Sequence, residues 1–158
     1  IVHNAGVIAP AAPQEYPMAA LREMFDLNVL AAQGLLSHAL PHLKRGASVV
    51  SVSSVNAVLP PKGAALFGAS KAALEVWTKG MAKELGPEGI RVNAVAPGAV
   101  NIPEAPRDAE LTALFEEMTA LGKLAEAADI AAGVRFLVSD AARAITGEVL
   151  TISGGYRL

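Results

Sequence analysis

Apolar positions along the chain alternate between short β-branched runs and longer stretches at helical spacing. Ile1-Val2-His3 reads as the end of a strand that stops at Asn4-Ala5-Gly6. Residues 7–17 carry Pro10, Pro13 and Pro17 and read as a loop. From about 18 to 40, Leu21, Met24, Phe25, Leu27, Leu35 and Leu36 fit a helix better than a strand. The run 47–53, Ala-Ser-Val-Val-Ser-Val-Ser, is short and β-branched, as a buried parallel strand requires. Pro60 and Pro61 mark a loop before a helix over about 64–85, which Gly86-Pro87 ends. Residues 90–95 form the next strand, halted at Pro97-Gly98. A proline-rich loop reaches Pro106, and helices follow at about 108–121 and 126–138. A last strand over 148–152 is released by Gly154-Gly155. Strands alternating with helices predict βα units and an α/β fold with a doubly wound, mostly parallel sheet.

Composition refines this picture. The 158 residues are 53% hydrophobic and 18% charged with a net charge of −2, a balance that argues against disorder. It also leaves no basic surface for nucleic acid or an anionic membrane, and neither is expected as a partner. The longest uncharged helical stretch, 27–43, is interrupted by Asn28, Gln33, Ser37, His38, Pro41 and His42 and does not read as membrane-spanning. No segment has the basic head, apolar stretch and cleavage pattern of a signal peptide. The chain has no cysteine, which excludes disulfides and thiol catalysis and fits a reducing compartment, so the cytoplasm is the expected location. His38 and His42 share a helix face, but no acidic partner follows and Pro41 intervenes, so no metal site is expected. The 32 alanines and 4% aromatic residues suggest helices packed closely on a sheet through small side chains.

In open parallel sheets, ligands bind beyond the carboxyl ends of the strands. Polar or glycine-rich clusters stand at four strand ends: Asn4-Ala5-Gly6, Ser53-Ser54, Pro97-Gly98 and Ser153-Gly154-Gly155. Four such clusters predict one shared crevice.

In these motifs the chain resembles the short-chain dehydrogenases/reductases. His3-Asn4-Ala5-Gly6 is similar to that family's Asn-Asn-Ala-Gly turn, with histidine in the first place. Asn28 sits in the following helix as the family's helix asparagine does. Ser51-Val52-Ser53-Ser54 matches the serine strand, and Phe67-Gly68-Ala69-Ser70-Lys71 the start of the Tyr-x-x-x-Lys helix. The run Arg91 to Gly98 and the late Thr146-Gly147 and Gly154-Gly155 complete a register that covers essentially the whole chain.

The resemblance implies hydride transfer between NAD or NADP and an alcohol or carbonyl carbon. It implies catalytic positions at Asn28, Ser54, Phe67 and Lys71: the serine orients the substrate oxygen, and the asparagine supports a proton-relaying water. The lysine holds the nicotinamide ribose and lowers the pKa of a tyrosine at position 67. It implies cofactor contacts from Asn4, Ala5, Gly6, Lys71, Pro97, Gly98 and Val100. Residues 101–107 and the helix at 108–121 would cover the substrate, with Arg107 the only charged clamp on it.

Three departures qualify that reading. Phe67 keeps the ring of the tyrosine and loses its only ionisable atom, so the general acid/base is gone. Ile102 stands where the family has a threonine for the nicotinamide carboxamide. No two of the 14 glycines are separated by a single residue, so the Gly-x-x-x-Gly-x-Gly phosphate turn cannot be written anywhere. The chain therefore reads as a single Rossmann-type unit over 1–158, lacking the first strands. An upstream segment carrying the pyrophosphate side is a predicted partner.

Two functions are carried forward. One is an NAD(P)-dependent oxidoreductase acting on a small alcohol or ketone, impaired at Phe67, this chain being a piece of such an enzyme. The other is a non-catalytic, oligomerising scaffold. In the family the long helices and last strand form dimer or tetramer interfaces, so a homo-oligomer is expected on either reading.

Overall fold

The computed structural model describes residues 1–156. In chain order the principal elements are β1 (Val2–His3), α1 (Met18–Phe25), α2 (Ala31–Ala39), β2 (Ser48–Val52), α3 (Ala65–Leu85) and β3 (Arg91–Pro97). They are followed by β4 (Val100–Asn101), α4 (Ala109–Glu117), β5 (Ala125–Glu126), α5 (Ala127–Val138) and β6 (Val149–Ile152). Strands β1, β2, β3 and β6 lie side by side in that order, all parallel. The expected α/β sheet is present, with helices on both faces.

Side-chain alternation along the strands builds those two faces. Val49 and Val92 pack with Leu36 of α2 and Ala82 and Leu85 of α3. Val50 and Val95 turn the other way and pack with Leu137 of α5, flanked by Ile130 and Val134. All four valines are fully buried, each contributing about 1.5–3 kcal/mol of transfer free energy. Small residues permit the close approach. A Cβ on Gly133 of α5 would collide with Cδ1 of Ile152 in β6.

The helix expected over 18–40 is continuous but not uniform. Between α1 and α2 the residues Asp26–Leu30 form a π-helical turn, with the Ala31 N–H reaching back to the Asp26 carbonyl. Pro41 then sits inside the 3₁₀ turn Leu40–His42 that ends the segment, and His38 Nδ1 lies 2.7 Å from the Gly34 carbonyl one turn back. The two-residue ladder between β4 and β5 is an addition to the expected elements, and Ala125–Glu126 was expected as loop and helix start. Glu126 both ends that ladder and begins α5, its N–H donating to Asp129 Oδ2 at 2.8 Å. Helix α4 is shorter than expected, with Asp108 Oδ1 capping it through the Leu111 N–H at 2.7 Å.

The register brings the four strand-end clusters to one edge. His3 lies beside Ser51, Val52 beside Val95, and Pro97 beside Ile152. Asn93, buried at the middle of β3, donates through Nδ2 to the Ile145 carbonyl and accepts the Glu148 N–H through Oδ1, both at 3.0 Å. Gly147 N–H adds a bond to the Val92 carbonyl at 2.7 Å. These contacts lock the start of β6 against β3 and so fix where Ser153 emerges. Among the described residues no helix is long and apolar enough to cross a membrane.

Candidate active site

The centre of the site is built where the turn after β1 meets the π-helical turn and α3. Asn28, almost fully buried, uses its amide to fasten these pieces together. Its Oδ1 accepts the Val7 N–H at 2.8 Å, and its Nδ2 donates to the Val7 carbonyl and to Ser70 Oγ, both at 2.9 Å. Ser70 in turn donates to the Phe67 carbonyl at 2.8 Å. Gly6 is the close-approach position. A Cβ there would stand 3.1 Å from Asn28 Oδ1 and 3.2 Å from Lys71 Nζ, tight contacts in which the two side-chain ends would have to give by a few tenths of an ångström.

Lys71 reaches from α3 to the end of β2, where Nζ donates to the Val52 carbonyl at 2.9 Å. Only 5% of the residue remains exposed. Burial removes water from the ammonium and lowers its pKa from the usual lysine value. The Phe67 ring lies one turn earlier on the same helix face, with its centroid 5.7 Å from Nζ. A tyrosine at this position would extend a hydroxyl from the same ring; phenylalanine presents an apolar edge.

Ser53 and Ser54 at the end of β2 divide the work between them. Ser53 is buried and donates to Glu75 Oε1 at 2.7 Å, which anchors β2 to α3. Ser54 is half-buried and caps the 3₁₀ turn Val55–Ala57 by accepting the Asn56 N–H at 3.1 Å. Its hydroxyl hydrogen stays available for another acceptor. Gly68 sets the distance between this turn and α3. A Cβ there would lie 2.5 Å from the Asn56 carbonyl oxygen and 2.9 Å from Pro60 Cβ.

The remaining expected positions fall into three neighbourhoods. Asn4, Pro97 and Val100 line one cavity of about 670 Å³ with Val52, Ile102 and residues of α5 such as Ile130. Asn4 and Ala5 also border a smaller cavity of about 120 Å³ shared with His3 and Asn28. Ser54 opens instead onto a separate cleft of about 390 Å³ that includes Glu75 and Lys79. Gly98 is tucked against β6, where its N–H donates to the Ile152 carbonyl at 3.0 Å and a Cβ would meet Ser153 Cβ at 2.8 Å. The Val100 carbonyl accepts from Arg107 at 2.7 Å, and the Arg107 guanidinium lies over the Phe115 ring. This holds the loop before α4 onto the cavity's rim.

Sequence reasoning passed over Gly68, Ser70 and Glu75, whose roles arise from contacts between distant segments. Only Ser70, three residues after Phe67 and one before Lys71, carried a local signal. It also left His3 without a role. His3 Nδ1 lies 3.2 Å from Ser51 Oγ and its ring tilts against Trp77, while buried Nε2 has no hydrogen-bond partner among the described residues. Burial lowers its pKa below the usual histidine value. Of the tyrosines, Tyr16 spends its hydroxyl on the Gly63 carbonyl at 2.6 Å.

Comparison with known proteins bears on the family and the fold. A family profile described as enoyl-(acyl carrier protein) reductase matches residues 1–157. Tropinone reductase-like 3 of Erythroxylum coca is 41% identical over 138 residues, which cover 85% of this chain and 53% of that protein. A short-chain dehydrogenase/reductase from Serratia marcescens superposes with a TM-score of 0.94 at 35% identity, covering 99% of this chain and 64% of the other. A blue fluorescent protein from a metagenomic library, solved with NADPH, superposes equally well at 30% identity and with the same coverage. The chain thus spans between about half and two thirds of the length of these relatives. With its parallel sheet, its Asn28–Ser70–Lys71 arrangement and these matches taken together, the chain belongs to the short-chain dehydrogenase/reductase family.

Proposed function

We propose that this chain forms the substrate- and nicotinamide-facing part of an NAD(P)-dependent oxidoreductase for apolar alcohols or ketones, slowed by the loss of the tyrosine hydroxyl. One observation carries the reading: Asn28 and Lys71 converge on Gly6, each within about 3 Å of the position a Gly6 Cβ would take. This cradle suits the nicotinamide ribose. Lys71 uses one N–H on the Val52 carbonyl and has two more to offer ribose hydroxyls. The NADPH complex of the blue fluorescent relative supports the same cofactor class. Asn4, Ala5 and Gly6 on one side, and Pro97, Gly98 and Val100 on the other, are the proposed walls of the nicotinamide site.

When bound, the cofactor supplies or accepts the hydride. The chain's own residues do the rest. Ser54 donates its free hydroxyl hydrogen to the substrate oxygen. Asn28 keeps the Gly6–Val7 turn and Ser70 in place, so that Lys71 stays aligned. The 670 Å³ cavity, lined by Val52, Val100, Ile102 and Ile130 and also by Arg135, is the proposed nicotinamide side, and Val55, Val58 and Leu59 of the cleft that Ser54 lines give the substrate an apolar wall. Phe67 supplies no proton, and this step limits turnover.

The scaffold reading is favoured by Phe67 itself and by the exposed Leu30, Leu35 and Val76 on the helical face, which suit a homo-oligomer. A cytoplasmic location is proposed with either reading. Titration of the intact protein with NADH and NADPH, followed by nicotinamide fluorescence, tests the choice. Saturable binding that Lys71→Ala weakens by about tenfold or more supports the oxidoreductase. Absence of binding to either nucleotide overturns it and leaves the scaffold.

A further inference from the structure

The segment between Val7 and the start of α1 hangs on a single acceptor. Among the described residues, the only hydrogen bonds that residues 8–16 make outside themselves end on the Gly63 carbonyl. It accepts the Tyr16 hydroxyl at 2.6 Å and the Ala11 N–H at 3.1 Å. At one end Val7 is fastened by Asn28, and at the other Pro17 leads into α1. No residue of 8–16 is buried, and Ile8 keeps half of its surface exposed. Pro10 and Pro13 fix two backbone angles, which makes the segment a stiff strap. Segments with so few buried contacts and hydrogen bonds are the first in a fold to open.

The acceptor stands between two parts of the site. Before Gly63 in the chain, Val55, Val58 and Leu59 line the cleft onto which Ser54 opens. After it, Phe67 and Lys71 follow in the first turns of α3. Gly63 has φ +79°, a left-handed conformation natural to glycine, so the backbone that presents the shared carbonyl depends on the missing side chain. We propose that residues 8–16 gate the substrate cleft, with the Tyr16 hydroxyl as the latch; this rests on the oxidoreductase reading of that cleft. With the latch made, the strap ties the Gly6–Val7 turn to the wall formed by residues 55–63. With the latch released, the wall loses that tie and the cleft opens for substrate and product to exchange. One neutral hydrogen bond shifts such an equilibrium by only about threefold to tenfold, so the gate can open and close within a turnover.

The test is amide hydrogen exchange of the intact protein, read residue by residue by NMR and compared with Tyr16→Phe, which keeps the ring and removes the hydroxyl. Exchange at Ala11 should rise by about threefold to tenfold. It should rise by a similar factor at Leu59 and Ala64, whose N–H groups donate to the Val55 and Pro61 carbonyls of the wall at 2.9 and 3.1 Å. Ala94, whose N–H donates to the Glu148 carbonyl at 2.8 Å in the sheet, should exchange as before. Unchanged exchange at Ala11 means that the hydroxyl is no latch, and overturns the proposal. A rise at Ala11 alone also overturns it, because the strap then has no hold on the wall of the cleft. So does an equal rise everywhere, Ala94 included, which would make Tyr16 a support of the whole fold. The measurement needs neither nucleotide nor turnover, so the gate can fail while nicotinamide binding succeeds, and the reverse.

Discussion

Gly68 offers the most direct test of how α3 is seated against the turn that carries Ser54. It lies in the first turn of α3, where alanine would ordinarily gain about 1 kcal/mol over glycine in helix propensity. Here the added Cβ would meet the Asn56 carbonyl oxygen at 2.5 Å and Pro60 Cβ at 2.9 Å. The closer of these is backbone and cannot swing aside, so the overpacking cost belongs at the upper end of the usual range, about 3 kcal/mol. After the propensity gain, Gly68→Ala should destabilise the fold by about 2 kcal/mol, a fall in Tm of roughly 4–8 °C for a chain of this size. A Cβ added at Gly80, further along the same helix, would meet nothing within 4 Å. Gly80→Ala should therefore stabilise by about 1 kcal/mol. Urea unfolding followed by circular dichroism measures both, and the two variants should differ by about 3 kcal/mol, the overpacking cost itself. If Gly68→Ala proves as stable as Gly80→Ala, the close seating of α3 on the Val55–Ala57 turn is refuted.

Other consequences follow from the same contacts. Asn28→Ala removes three hydrogen bonds and leaves the Val7 backbone and Ser70 without their partner, so it should cost about 2–3 kcal/mol, read as a lower urea midpoint. An unchanged midpoint would mean that the Gly6–Val7 turn is held by other means. His3 is buried with a lowered pKa, so the folded state favours the neutral ring. Its contribution is present above the unfolded value of about 6.5 and is lost as pH falls below it towards the folded pKa. The loss of stability between about pH 7.5 and pH 5 should therefore be smaller in His3→Gln than in the unsubstituted protein. Equal acid sensitivity in the two would place the titrating group elsewhere.

Much of the fold was legible because each strand and helix carries its own local signal. The β-branched run of β2 and the Gly86-Pro87 stop of α3 depend on neighbours in sequence, and both lie where expected. The π-helical turn at Asp26–Leu30 was not legible, since it differs from an α-helix by one step in hydrogen bonding and needs no special composition. The β4–β5 ladder is only two residues long, too short for alternation to register. At the site, Asn28, Ser54 and Lys71 are singled out by their order and spacing. What spacing could not supply is how the parts are joined. The clamp from Asn28 to Val7 and Ser70 links three separate segments, and the Gly68–Asn56 approach links two more. His3 was visible only as a departure from a motif; its orphaned Nε2 appears once the turn is folded against Trp77 and Ser51. The division of the expected site between two cavities, with Ser54 on one and Asn4 on the other, is likewise a property of packing.

The central claim is that this is a short-chain dehydrogenase/reductase site whose catalytic group lacks one hydroxyl. The measurement that tests it most directly is carbonyl reduction by the intact protein before and after Phe67→Tyr, with an apolar ketone and reduced nicotinamide cofactor at saturation. A positioned general acid contributes about 10²–10⁴-fold, so kcat should rise by that order while cofactor affinity stays within about threefold. A folded Phe67→Tyr protein that binds the cofactor and shows no gain in kcat would contradict the account.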